Sequence, residues 1–140
     1  MTIKRKLLVY LLLVPVAYSC TQAQNKPVRP VITDIVNKIS AYNIVDAAGV
    51  GIAGVKTEQY ERFENLIKYA TIDELVSLTD HKSPTVKAYS FWALSKRKFP
   101  GLSLIVKKHA ADSSTFRFFS GCLLSRESTK DFYVSISKDQ

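Results

Sequence analysis

Lys87-Ala88-Tyr89-Ser90-Phe91-Trp92-Ala93-Leu94-Ser95-Lys96, shifted by 30 positions, lies over Arg117-Phe118-Phe119-Ser120-Gly121-Cys122-Leu123-Leu124-Ser125-Arg126. Ser90 and Ser120, Leu94 and Leu124, and Ser95 and Ser125 are identical. Lys87 and Arg117, Tyr89 and Phe119, and Lys96 and Arg126 keep their chemistry. Each stretch follows a shorter helical segment and an Asp-led polar turn, Asp80 to Ser83 and Asp112 to Ser114. The pattern predicts a repeated helix pair. One pair cannot bury its own apolar face, so pairs stack and share a core.

The segments around this repeat are read the same way. From Thr33 to about Ala47, Ile35, Val36, Ile39, Tyr42 and Val45 recur at helical spacing, with Thr33 or Asp34 as the expected cap. Between Thr57 and Ala70, Tyr60, Phe63, Leu66 and Ile67 form an apolar stripe opposite Glu58, Glu61, Glu64 and Lys68. Thr71-x-x-Glu74 is a capping box that opens a further helix. Ser83 and Pro84 suit an N-cap and first helical position. The helix they start is apolar almost all round, which predicts the centre of the domain. Leu102 to Ala111 and Thr115 to Ser125 are read as two more helices. Phe132, Val134 and Ile136 fit either a last helix capped by Ser128 or a short strand. Helix is preferred, because no partner strand is evident.

Leu75 to Leu94, with Asp80, Pro84, Val86, Lys87 and Ala88, resembles a HEAT-type repeat, in which an Asp-x-x-x-Pro-x-Val-Arg turn starts the second helix. The likeness covers residues 71–97 and is weaker over 100–126, where the turn is shorter and lacks proline; Lys87 stands for the usual arginine. Thr57 to Ser125 also resembles a group of small exported bacterial proteins of unassigned function. The resemblance implies an all-α short stack of HEAT-like helix pairs that presents a surface to another macromolecule.

The N-terminus predicts export. Lys4, Arg5 and Lys6 precede the apolar run Leu7 to Val16 and the small-residue stretch before Cys20, the layout of a signal peptide. The expected division is 1–19 signal peptide, 20–32 tether and 33–140 a single domain. Cys20 is the expected lipidation site, which would anchor the chain to a membrane facing the periplasm. The alternative is cleavage after Ala23, giving a soluble periplasmic or secreted protein. Removal of the three N-terminal cations lowers the formal charge from +8 to +5, mild enough to favour anionic lipid over nucleic acid in that compartment.

No residue constellation names a reaction, so the expectation is a non-enzymatic module without cofactor or metal that binds another envelope protein. A small-molecule or lipid-binding module, with Gly49 to Gly54 and the aromatic helix forming a pocket, is the alternative. Gly49-x-Gly51-x-x-Gly54 matches the dinucleotide pattern, but a preceding helix and no following parallel strand exclude it on this reading. His81 and His109 lack companions at metal-ligand spacing. Lys96, Arg97, Lys98, Lys107 and Lys108 are either solvated helix ends or a converging patch for an anionic partner. Phe118 is expected to be exposed, because Phe116 and Phe119 already fill the inward helical spacing. Cys122, aligned with Trp92, is expected inside.

Overall fold

The computed structural model describes residues 27–138, so the expected signal peptide and the expected lipidation site Cys20 lie outside the described residues. Helix α1 (Pro30–Tyr42) has Pro30 in its first turn, where the missing N–H costs nothing, and ends at Asn43, whose φ of 58° is left-handed. The expected caps Thr33 and Asp34 are therefore inside the helix. Residues 44–47 leave it altogether and open strand β1 (Ile44–Val50), where β-branched side chains fit the pleat.

Four helices fall where the periodicity places them: α2 (Glu58–Tyr69), α3 (Ile72–Leu78), α4 (Pro84–Lys96) and α5 (Leu102–Lys108). The Thr57 hydroxyl accepts from the Tyr60 amide at 3.1 Å and starts α2. Both halves of the Thr71–Glu74 capping box are made. Ser83 precedes α4 without a side-chain cap bond; its N–H instead donates to His81 Nδ1 at 3.1 Å.

The second copy of the repeat is not helical, and this overturns the all-α stack. Thr115–Gly121 forms β2 and Leu123–Ser128 forms β3, an antiparallel hairpin, while β1 pairs with β2 in parallel. The described residues hold six helices and a three-stranded mixed sheet in the order β1-β2-β3, an α/β fold. The apolar period in this stretch is two rather than 3.6. Phe116 meets Phe132 with ring centroids 5.2 Å apart, and Phe118 meets Trp92 at 6.4 Å, so both face the helices. Gly121, with φ 54°, takes the first position of a two-residue turn that an L side chain would strain. The last element, α6 (Thr129–Lys138), is a helix as preferred, with the Ser128 hydroxyl accepting from the Asp131 amide at 3.2 Å. The reason given for that preference fails, since partner strands exist.

Helix α4 is the centre of the packing, in contact with α1, α2, α3, α5 and α6 and with the inner face of the sheet. Phe63 stacks on Tyr89 at 4.7 Å and on Trp92 at 4.8 Å, and Phe91 stacks on Tyr133 at 4.0 Å. The sheet thus lies on one side of a helical layer, and its far end is left uncovered.

Candidate interaction surface

The two outer strands are finished differently. On the edge of β1 away from β2, the Tyr89 hydroxyl accepts from the Asp46 N–H at 2.7 Å and donates to the Asp46 C=O at 3.0 Å. Gln59 Nε2 donates to the Ile44 C=O at 2.8 Å. Side chains of α2 and α4 therefore seal this edge, as a sheet must do to avoid unwanted pairing. Among the described residues, no comparable side chain caps the backbone of β3.

At the end of the sheet the loop after β1 and the β2–β3 turn come together. Val50 and Val55 exchange backbone hydrogen bonds at 3.1 and 3.0 Å, and Gly51 N–H donates to the Gly121 C=O at 2.6 Å. Thr57 Oγ1 donates to Asp46 Oδ2 at 2.7 Å and ties the loop back to β1. The result is a fixed tip bearing Ile52 (100% exposed), Leu123 (70%), Val55 (57%) and Leu124 (51%). Exposed apolar residues grouped at one end of a fold are candidates for an interaction site, although Leu123 and Leu124, successive in β3, point to opposite faces of the sheet. Behind the tip, on the outer face, Phe119 pairs with Leu124 and Arg117 with Arg126 across the hairpin. Like charges directly opposite cost some stability, so this arginine pair adds positive charge to the outer face rather than support to the hairpin.

Val55, Leu123 and Leu124 were not among the residues the sequence singled out for binding, whereas Ile52 lies in the Gly49 to Gly54 loop that the alternative reading made part of a pocket. Phe118, expected to be exposed, is instead half-buried between Trp92 and Phe132. The error came from helical spacing, which assigns Phe119 inward; the strand reverses the two. Cys122 is exposed in the turn beside Leu123, not inside. The basic residues separate. Lys96 lies 5.9 Å from the Trp92 ring centroid, Arg97 donates to the Ala70 C=O at 2.6 Å, and Lys108 pairs with Asp80 at 2.5 Å. Lys98 and Lys107 alone among them line one groove, with Phe99, Leu102 and Val106.

The glycine pattern also stands in a context other than the one expected. A strand does precede Gly51-x-x-Gly54, a helix does follow, and a parallel partner does exist. The loop still cannot cradle a phosphate. The amides of Val50, Gly51, Gly54 and Val55 are all spent on backbone carbonyls, and the N-terminus of α2 is occupied by Thr57 and flanked by Glu58 and Glu61. His109 is packed as expected, edge-on to Tyr133 at 5.5 Å, but Asp80 Oδ1 lies 3.3 Å from its Nε2 and Asp112 Oδ2 3.5 Å from its Nδ1, companions that sequence spacing did not reveal. Lys87 holds Asp112 at 2.7 Å, and Ser114 Oγ donates to it at 2.6 Å. Burial pushes the Asp112 carboxyl up, but the Lys87 ammonium and Ser114 more than offset it and bring it down to about 2. The cluster joins α4, α5 and the start of β2. Among the described residues no group of three or more His, Cys, Asp or Glu is arranged for a metal.

Asp46, fully buried beneath the tip, is one of four described residues with an unpaired buried side-chain atom: its Oδ1, like Ser83 Oγ, Ser90 Oγ and His109 Nε2, has no hydrogen-bond partner among the described residues. Burial raises its pKa, against the opposing pull of Thr57 and Tyr42. A raised native pKa gives stability that is complete below the ordinary 3.8 and is lost as pH rises through the raised value. Asp46→Asn is therefore expected to remove this contribution, so that the stability of the wild type relative to the variant, read from denaturant midpoints, falls as pH rises from about 4. Equal slopes for both proteins would contradict this. No family model, curated protein or solved structure matches the chain.

Proposed function

We propose that this chain is an exported, membrane-tethered docking module that binds another envelope protein through the open end of its sheet. The observation that carries the reading is that the loop with exposed Ile52 and Val55 is joined by a backbone hydrogen bond to the hairpin end with exposed Leu123 and Leu124. Ordering those side chains costs little on binding, because the loop and the hairpin are already joined. Apolar anchors with a polar rim are the usual energetic centre of a protein interface, and Arg117 and Arg126 supply that rim on the neighbouring face. Export and a lipidated Cys20 rest on the N-terminal sequence alone. The expected partner presents an apolar pocket with acidic residues at its margin.

The test is affinity capture from native envelopes with the wild type and with an Ile52→Asp, Leu123→Asp double variant. Both positions are exposed, so the variant's stability should stay within about 0.5 kcal/mol per site of the wild type. A partner recovered by the wild type and reduced at least about tenfold by the variant is the expected result. Recovery of the same proteins by both would overturn the reading.

A further inference from the structure

We propose that the groove between the end of α4 and α5 is a binding site for a single-chain fatty carboxylate, with Lys98 and Lys107 on the head group and Phe99, Leu102 and Val106 under the chain. The groove is open to solvent, has a volume of about 460 Å³, and has no Asp or Glu among the described residues of its lining. That size lies in the range of small-ligand sites, roughly 300–1,000 Å³. Leu102 is buried, Phe99 and Val106 are half-buried, and both lysines are exposed. Lys38, Lys56, Lys87 and Lys108 each lie against a carboxylate. Among the described residues Lys98 and Lys107 have no such partner, a condition they share with Lys68, Lys82, Lys96 and Lys130, but they are the two that line an apolar groove. An anion with an apolar tail satisfies both halves of that surface, whereas inorganic phosphate or a neutral lipid satisfies one.

The backbone supports a positioned lysine. Helix α4 ends with Phe99 N–H donating to the Leu94 C=O at 3.0 Å and Lys98 N–H donating to the Ser95 C=O at 2.8 Å. This end leaves Lys98 at φ 52°, a place where glycine is the usual occupant. A lysine there is retained at a conformational cost, and strain of this kind is a pointer to function. The Phe99 ring lies over Gly101, where an added Cβ would sit 2.5 Å from it and push the ring aside.

The strain makes the test clean. A Lys98→Gly, Lys107→Gln variant relieves the left-handed residue, so it should fold and melt roughly 4 °C above the wild type. A fluorescent 16-carbon carboxylate is titrated against the full-length protein, the double variant, and a Lys68→Gln, Lys82→Gln control with the same charge change elsewhere. The expected result is affinity about tenfold weaker in the Lys98, Lys107 variant and unchanged in the control. The matching 16-carbon alcohol should bind the wild type as weakly as the variant binds the carboxylate. Equal carboxylate binding by all three proteins, equal loss in the control, or equal binding of the alcohol would each overturn the site. Capture of a protein partner by the sheet end is measured separately and does not bear on this outcome.

Discussion

Replacing Phe63 with alanine is expected to cost about 3–5 kcal/mol of stability, the usual range for deleting a buried aromatic side chain. Phe63 is fully buried and is the ring on which three others meet: it stacks on Tyr89 and Trp92, and Tyr60 approaches it edge-on at 5.4 Å. Each aromatic pair adds about 0.5–1.5 kcal/mol to the area term, so the upper half of the range is expected. The damage also spreads to the sheet. Tyr89 is held by Phe63 on one side and seals the Asp46 peptide groups with its hydroxyl, so a loosened Tyr89 exposes the edge of β1. A domain of this size has about 5–15 kcal/mol in total, and the variant should melt at least 15 °C lower at roughly 4–8 °C per kcal/mol. Thermal unfolding followed by far-UV circular dichroism checks it. A shift under about 4 °C would mean that this aromatic cluster is not the centre of the core.

Glu74→Ala is expected to be the most costly polar substitution, at about 2–4 kcal/mol. Glu74 is 4% exposed and serves two elements at once. One oxygen accepts from the Thr71 amide at 2.8 Å and closes the capping box of α3. The other accepts from Arg29 N–H at 3.0 Å and from Arg29 Nε at 2.9 Å, which fixes the start of α1. The Arg29 guanidinium also donates to the Tyr69 C=O, at 2.5 Å, so loss of Glu74 releases the α2–α3 corner. Arg29 hydrogen bonding, with help from the Thr71 backbone, lowers the Glu74 pKa from 4.5 to about 2. A lowered native pKa gives stability that is complete above the ordinary value and is lost as pH falls through about 2. The wild type should therefore lose stability from about pH 5 downward, and Glu74→Ala should lose less over the same interval. Denaturant titrations at pH 7 and pH 3 measure both; an identical difference between the proteins at the two pH values would remove Glu74 from the account.

Local signals were legible wherever one residue type has one structural use. Thr71 with Glu74 and Pro84 at a helix start are of this kind, and α2 shows an apolar stripe that fits only the helical period. The sheet was not legible because its strands are short and their apolar residues satisfy two periods. Phe116, Phe118 and Phe119 allow inward pairs at a spacing of two or of three, and Ile35 to Val45 reads as helix across a boundary that Asn43 marks only through its left-handed backbone. The apparent repeat was a match of composition between a helix and a hairpin. What decides between them is the tertiary partner: β1 and β2 pair across some seventy residues of intervening chain, and no local propensity encodes that contact. The tip was missed for the same reason. Ile52 and Val55 look like part of a flexible glycine loop until the Gly51–Gly121 backbone bond joins that loop to the end of the hairpin that carries Leu123 and Leu124.

The reading of this chain as a docking module is tested most directly by site-specific photo-crosslinking in the native envelope. A photoreactive side chain at position 123 is compared with one at position 68, on the exposed face near the opposite end of α2. A discrete adduct from position 123, lost when Ile52→Asp is added and not formed from position 68, is the expected result. The same adducts from both positions, or an adduct at 123 that Ile52→Asp leaves intact, would contradict it.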